Sequence, residues 1–281
     1  MIGGRGWGSR ILRIYLPVMG FLVLMLFPFY WMLIASIKPN RELYNAKIMP
    51  LIVYQPTLKH YYDLFADTNF LLWTYNTMLV AVITTAVSLV LGAMIAYPLA
   101  RMNFPGAAIV AIGVAATYLV PQPLLFIPMA DIINKLELGD TLKAVMLTYP
   151  TLLIPFCAWL LMGYFKSVPR ELEEAARIDG ASRFQAMWRV VLPLTTPGLL
   201  SAGIFAFTLA QNEFLYALIF LAKSEVRTVP VGAITELIRG DVFYWGQLMA
   251  AALLGSIPVA VIYSFFVDYY VAGLTAGSVK S

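Results

Sequence analysis

The chain has 281 residues, of which 61% are hydrophobic and only 12% are charged, and its mean hydropathy is +0.80. Soluble domains carry about 25% charged residues, so this composition indicates an integral membrane protein. A net charge of +4, one cysteine and one histidine argue against a nucleic-acid-binding surface, an intrachain disulfide and a metal site built from Cys or His clusters.

Six apolar segments are long enough to cross a bilayer, for which a helix needs about 20 residues. They cover residues 14–37, 78–100, 107–130, 144–164, 197–222 and 248–267. Prolines recur inside them, and membrane helices tolerate proline where neighbouring helices or water satisfy the freed carbonyls. The sequence therefore predicts an all-α integral membrane protein with six transmembrane helices packed together.

The charges that flank these segments predict the orientation only weakly. Cytoplasmic loops carry an excess of Lys and Arg, but here these residues divide almost equally between the two sides. Arg5, Arg10 and Arg13 precede the first span with no acid among them, which favours cytoplasmic termini. Lys38 and Arg41 follow the same span closely, so charge alone leaves both orientations open.

The most polar stretch of the chain, residues 165–193, lies between the fourth and fifth spans. A helix is predicted to begin near Pro169, because acids follow in its first turns, where the helix dipole favours them. Gly180 is predicted to end this helix in a left-handed conformation. A second, amphipathic helix then follows and stops at Pro193. The stretch is therefore expected to be a helical hairpin at the membrane surface.

The first helix of this hairpin has one narrow face of mostly small residues. They are Leu172, Ala175, Ala176 and Asp179. Arg177 is spaced for ion pairing with Glu173 and Glu174 on the same side. Small residues let another protein approach the backbone, so the face indicates a docking surface. A solvated loop with an interfacial helix is the other interpretation that the residues allow.

Several motifs of the chain follow a known pattern. Glu174-Ala175-Ala176, three residues, Gly180, nine residues and Val190-x-Leu192-Pro193 resemble the EAA loop of bacterial ABC importer permeases, with valine where that family usually has isoleucine. The segments "YPLARMNFPG", "QNEFLYAL", "WGQLMAAALLGSIPV" and "VAGLTAGSVKS" are similar to the sugar-importer branch, in particular to the shorter permease of the maltose-type pair, although Gln211 replaces a tryptophan.

This resemblance implies a type I ABC importer permease fold, a single permease domain with its core at residues 70–272, and cytoplasmic placement of both termini and of loop 165–193. That loop would be the coupling helix that docks in a cleft of an ATPase subunit, through Glu174, Ala175, Ala176, Asp179, Gly180 and Ala181. The tail, residues 273–281, would reach the interface of the ATPase dimer through Gly273, Leu274, Thr275, Ala276 and Gly277. Composition alone favours a solvated end for this tail.

Two further sites are expected. Glu213 is the acid buried in a predicted span, and with Gln211 and Asn212 it forms a polar cluster, which either lines the solute path or makes a satisfied interhelical hydrogen bond. The external loop 223–246 is implied to contact the solute-binding protein through its tip. The residues of that tip are Asp241, Phe243 and Tyr244.

The function implied is that of a transmembrane subunit of an ATP-driven importer for a mono- or oligosaccharide, or for a related polyol or glycerol derivative, in a bacterial or archaeal cytoplasmic membrane. The sequence has no P-loop to cradle ATP phosphates, so the chain is not expected to be an enzyme or to bind a cofactor, and ATP and Mg²⁺ are expected on a partner ATPase. The expected partners are a second permease subunit, two ATPase subunits, an extracytoplasmic solute-binding protein and the bilayer. A permease for a polyamine, amino acid or phosphate, or a secondary transporter, is the alternative.

Overall fold

The computed structural model describes the backbone of residues 11–276 and the side chains of residues 12–267. Over this range the chain is mainly helical and includes one two-stranded hairpin. These residues form two compact units. The larger consists of Leu71–Gly232 with the residues from Pro258 onward, and the smaller of the residues up to Phe70 with Ala233–Ile257.

The first half of the chain alternates long apolar helices with short connecting ones. After a π-helical turn at Ile11–Tyr15, these helices are α1 (Leu16–Ile37), α2 (Asn40–Leu43), α3 (Lys59–Asp67), α4 (Phe70–Arg101), α5 (Ala107–Tyr118), α6 (Gln122–Lys135), α7 (Leu142–Thr148) and α8 (Pro150–Ser167).

The second half begins with the polar hairpin and ends with a long helix. Its elements are α9 (Arg170–Ile178), α10 (Arg183–Leu194), α11 (Thr196–Gln211), α12 (Leu215–Phe220), a 3₁₀ turn (Ser224–Val226), α13 (Val229–Leu237), β1 (Ile238–Arg239), β2 (Val242–Phe243) and α14 (Trp245–Ala276). β1 and β2 pair antiparallel, with Ile238 opposite Phe243.

Four helical segments are long and apolar enough to cross a bilayer without a sharp break. They are Leu12–Ile37, Phe70–Arg101, Leu142–Ser167 and Trp245–Val267. Six spans are reached if two bent pairs also count, α5 with α6 at 93° and α10 with α11 at 80°. The predicted number of spans is therefore consistent with length and composition, but two of them are not single helices.

Two of the predicted spans, 107–130 and 197–222, are interrupted within their predicted bounds, and both interruptions have a local cause. The third predicted span, 107–130, breaks between α5 and α6 at Pro121, which has no N–H and disfavours helix in the residue before it. The fifth, 197–222, ends its first helix at Gln211, and the short α12 follows only after an interruption. The Glu213 carboxylate accepts hydrogen bonds from the N–H groups of Tyr216 and Ala217, so it caps α12 and separates it from α11.

The larger unit is built around α8, which packs against α5 and α11. Near the polar hairpin, one apolar cluster joins α4, α8 and α10 through residues such as Tyr97, Phe165 and Val191. Glycines permit the close approach of these helices. A Cβ on Gly198 of α11 would lie 2.3 Å from the Tyr164 ring of α8, so this crossing depends on the missing side chain.

In the smaller unit, buried charged groups order the segment that follows α1. The Lys38 ammonium donates to the carbonyls of Met49 and Pro50 at 3.2 and 2.6 Å. The Glu42 carboxylate accepts from the backbone N–H groups of Tyr54 and Gln55 at 3.1 and 2.9 Å. Side chains thus satisfy backbone groups in a stretch with little regular secondary structure.

We expect Gly198→Ala to destabilise the protein by about 1–3 kcal/mol, because the added methyl group overpacks the contact with Tyr164. Gly163→Ala in α8 is the matched control, since nothing lies within 4 Å of its Cβ and alanine favours a helix over glycine. The midpoint of thermal unfolding of the detergent-solubilised protein measures the difference. Equal midpoints for the two variants would contradict the close approach of α11 to α8.

Candidate functional site

The polar stretch between α8 and α11 is the helical hairpin that the sequence predicts. α9 follows Pro169, and Gly180 has a φ of +91°, a conformation that favours glycine. Ser182 then caps α10 reciprocally with Gln185: its hydroxyl accepts from the Gln185 N–H at 3.2 Å, and the Gln185 amide oxygen accepts from the Ser182 N–H at 2.8 Å. The predicted left-handed turn is confirmed.

The second arm of the hairpin ends at Leu194, directly after its predicted end at Pro193. Pro193 lies inside α10 because it follows a π-helical turn, Met187–Val191, and stands at the start of a new helical turn, where the missing N–H is tolerated. The chain bends by 80° at Thr195, whose hydroxyl donates to the Val191 carbonyl at 2.8 Å. This bend leads directly into α11.

All six residues predicted to couple to an ATPase lie on the accessible part of the hairpin. Exposed or partly buried positions are held by Glu174, Ala175, Ala176, Asp179, Gly180 and Ala181. Beside them, Ile178 is 85% exposed and Leu172 is 46% exposed. None of the nine residues of α9 is buried. All of α9 is therefore accessible, including two large apolar side chains.

Glu173 has a different partner from the one that helical spacing suggests. Its carboxylate accepts from Arg101 Nε at 2.9 Å and from the Tyr97 hydroxyl at 2.6 Å, rather than from Arg177. Both partners belong to the last turns of α4 and are far from Glu173 in the sequence. This contact follows from the burial of the Arg101 side chain. Burial is a property of the folded chain, so the sequence gives no sign of the contact.

A second candidate site is a cavity of about 540 Å³ in the larger unit. It lies at the breaks between α5 and α6 and between α11 and α12. Its polar and aromatic lining includes Thr117, Tyr118, Gln122, Tyr149, Thr208, Asn212, Glu213 and Phe214. A cavity with apolar walls and a few polar groups is typical of small-molecule sites.

The three residues predicted for the solute path lie at the break between α11 and α12, and they do not all line the cavity. Asn212 and Glu213 line the cavity, whereas Gln211 is buried and does not line it. Asn212 is exposed, and its amide donates to the Thr208 carbonyl at 2.8 Å. The sequence analysis did not identify Tyr118 and Gln122 as cavity-lining residues. Pro121, which lies between them, was the available signal that the helix breaks there.

The predicted external tip is a strand hairpin in the smaller unit. Gly240 turns it with a φ of +59°. Asp241, Phe243 and Tyr244 are all exposed, and the Phe243 ring stacks on that of Trp245 with centroids 5.3 Å apart. The tip therefore presents aromatic surface at the end of a short, ordered hairpin.

The predicted tail lies only partly within the structure. α14 continues beyond the expected end of the sixth span at residue 267, so Gly273, Leu274, Thr275 and Ala276 belong to its last turn. Gly277 lies outside the described residues. Between residues 12 and 267, no group of His, Cys, Asp and Glu side chains is placed to hold a metal ion.

Known proteins resemble this chain over most of its length. Residues 88–275 match the family described as "Binding-protein-dependent transport system inner membrane component". The chain is 38% identical to the sulfoquinovosyl glycerol transport system permease protein SmoH of Agrobacterium fabrum, over 91% of this chain and 89% of that protein. It is 34% identical to the trehalose/maltose transport system permease protein MalG of Thermococcus litoralis, over 92% of each.

The fold is also similar to a solved structure. A chain in the crystal structure of a bacterial ABC transporter involved in the import of the acidic polysaccharide alginate matches with a TM-score of 0.77 and 22% identity. The match covers 95% of this chain and 99% of that chain. The predicted importer permease fold is thereby confirmed.

Proposed function

The chain belongs to the family of binding-protein-dependent transport system inner membrane components, and from this premise we propose that it carries a carbohydrate across the cytoplasmic membrane as one permease subunit of an ATP-driven importer. The observation that carries the proposal is the exposed hairpin, with Glu174-Ala175-Ala176 on α9 and the left-handed Gly180 after it. The relatives named for sulfoquinovosyl glycerol and for trehalose and maltose support a carbohydrate solute.

ATP hydrolysis belongs to a partner in this proposal. The family consists of inner membrane transport components, and the sequence has no phosphate-binding loop. Two ATPase subunits hold ATP and Mg²⁺, and each docks on the hairpin of one permease. This chain and a second permease form the two halves of the pathway, and an extracytoplasmic binding protein delivers the solute.

The cavity at the two helix breaks is the part of the pathway that we assign to this chain. Its aromatic rings and its amide and hydroxyl groups suit a sugar, which offers C–H faces for stacking and hydroxyls for hydrogen bonds. Asn212 is the first contact in this assignment, because it is exposed at the cavity. Glu213 shapes the wall by capping α12.

The remaining assignments concern orientation. The hairpin docks on an ATPase, so the hairpin and both termini face the cytoplasm, while the strand hairpin with Asp241, Phe243 and Tyr244 faces outward and contacts the binding protein. Residues 273–277 continue toward the interface of the ATPase dimer. These assignments rest on the family and on the exposure of the two hairpins.

The first prediction concerns docking. Gly180→Val should strain the turn, because a left-handed conformation costs a non-glycine residue about 1–3 kcal/mol, and Glu174→Lys should reverse a charge on the docking face. Either variant should reduce the amount of ATPase that co-purifies with this chain, together with ATP hydrolysis stimulated by the binding protein. Asp131→Lys is the control, since it makes the same charge change at an exposed site on α6. Full co-purification and stimulation in both hairpin variants would exclude the docking role.

The second prediction concerns the solute. Mass spectrometry of material that co-purifies with the intact complex identifies the sugar, and uptake of that sugar into vesicles is then measured. Asn212→Ala should raise the half-saturating concentration about 2- to 10-fold, as expected for the loss of one hydrogen bond. ATPase co-purification should stay unchanged. Asn134→Ala, at an exposed position on α6, is the control, and equal uptake by the two variants would remove Asn212 from the solute path.

The third prediction concerns orientation. A cysteine at Asp241 should react with a membrane-impermeant maleimide in intact cells, whereas a cysteine at Ile178 should react only in inverted vesicles prepared without the ATPase. The background is low because Cys157, the native cysteine, is buried. Adding the binding protein should protect the cysteine at position 241. The opposite labelling pattern would invert the proposed topology.

A further inference from the structure

Arg101, the last residue of α4, is almost wholly buried, with 3% of its side chain exposed. Its Nε donates to the Glu173 carboxylate at 2.9 Å, and its two terminal nitrogens donate to the carbonyls of Val168 at 2.8 Å and of Pro169 at 3.3 Å. A guanidinium binds several acceptors at once in a fixed fork, which the single ammonium of lysine does not reproduce. Arg101 thus uses its full set of nitrogens.

The acceptors connect three helices at one point. Val168 directly follows α8, Pro169 directly precedes α9, and Glu173 lies within α9. Tyr97, one turn before Arg101 on α4, donates to the other oxygen of the Glu173 carboxylate at 2.6 Å. We call Tyr97, Arg101 and Glu173 the polar joint. It holds the end of α4 to the end of α8 and to the first turn of α9.

The two arms of the hairpin are attached in different ways. α10 places Met187 and Val191 in the apolar cluster shared with α4 and α8, whereas α9 has no buried residue. Apolar burial is therefore a minor part of what holds α9. α9 also contacts α10, and its side-chain hydrogen bonds to α4 are those of the polar joint.

We propose that Arg101 is a positioning residue of the transport cycle, which makes α4 and α8 move together with α9 when the coupling hairpin is displaced. This inference rests on the proposed function, because a docked ATPase supplies the displacement. Charge-assisted hydrogen bonds around a buried guanidinium are strong and directional. A rotation of α9 therefore also moves the ends of α4 and α8, and not only the residues that join α8 to α9.

The test uses the complex purified through a tag on this chain and reconstituted in vesicles. A cysteine replaces Tyr75, which is 60% exposed and lies at the other end of α4. Its rate of reaction with a maleimide is measured with and without ATP. We expect ATP to change this rate in the parent protein. Arg101→Lys and Glu173→Gln should reduce the change about tenfold, as expected if one charge-assisted hydrogen bond biases the equilibrium between two positions, while the ATPase stays bound and hydrolyses ATP.

Asp131→Asn is the matched control for Glu173→Gln, because it removes the same charge from an ion pair whose two side chains are 74% and 62% exposed. It should leave the ATP-dependent change intact. If Arg101→Lys fails to accumulate in the membrane, the ATP-dependent change in the Glu173→Gln variant is sufficient to test the proposal. A full ATP-dependent change in the joint variants would overturn the proposal, and so would release of the ATPase by Glu173→Gln, which would assign this residue to docking. If no ATPase co-purifies with the parent protein, the proposed function itself fails.

Discussion

A backbone that lies in a bilayer must satisfy its own hydrogen bonds, and this constraint decides where the spans break. After α11, the Glu213 carboxylate takes two N–H groups at the start of α12. After α10, the Val191 carbonyl accepts from the Thr195 hydroxyl as well as from the Thr195 N–H. Between α5 and α6, Pro121 has no N–H to satisfy. At Glu213 a side chain therefore satisfies N–H groups that the break leaves free, and at Pro121 the tertiary amide has no donor that needs a partner.

The same breaks account for the polar lining of the cavity. In an unbroken helix, Asn212 and Glu213 would point in directions about 100° apart, each among apolar neighbours. Interruption of the helix at these two positions brings them to one wall, where Gln122 from the second break also lies. A polar site thus forms in an apolar chain without a charged face along a whole helix. This arrangement is the basis for assigning the cavity to the solute.

What the sequence predicted correctly was local. The glycine turn, the helix start after Pro169 and the apolar lengths follow from properties of neighbouring residues, and the family motifs added the fold. What it missed includes one non-local contact and one local helix break. Helical spacing favoured Arg177 for Glu173, but an exposed pair of this kind contributes only a few tenths of a kcal/mol, whereas the buried Arg101 has a much greater need for a partner. The span at 197–222 was misjudged because composition does not show that a glutamate will cap a new helix.

The attachment of α9 through a polar joint follows from what its surface has to do. A helix of nine residues has about two and a half turns, and packing it by an apolar stripe would bury much of the surface that a partner needs. A carboxylate held at one point leaves the rest of the helix accessible. The bonds to Arg101 and Tyr97 are directional, so they fix the angle of α9, which apolar contact does not. Since loss of the Glu173 charge leaves the buried Arg101 guanidinium without a counter-ion, the joint resists partial opening. In the proposed coupling, an element attached in this way moves as a lever while its docking face stays free.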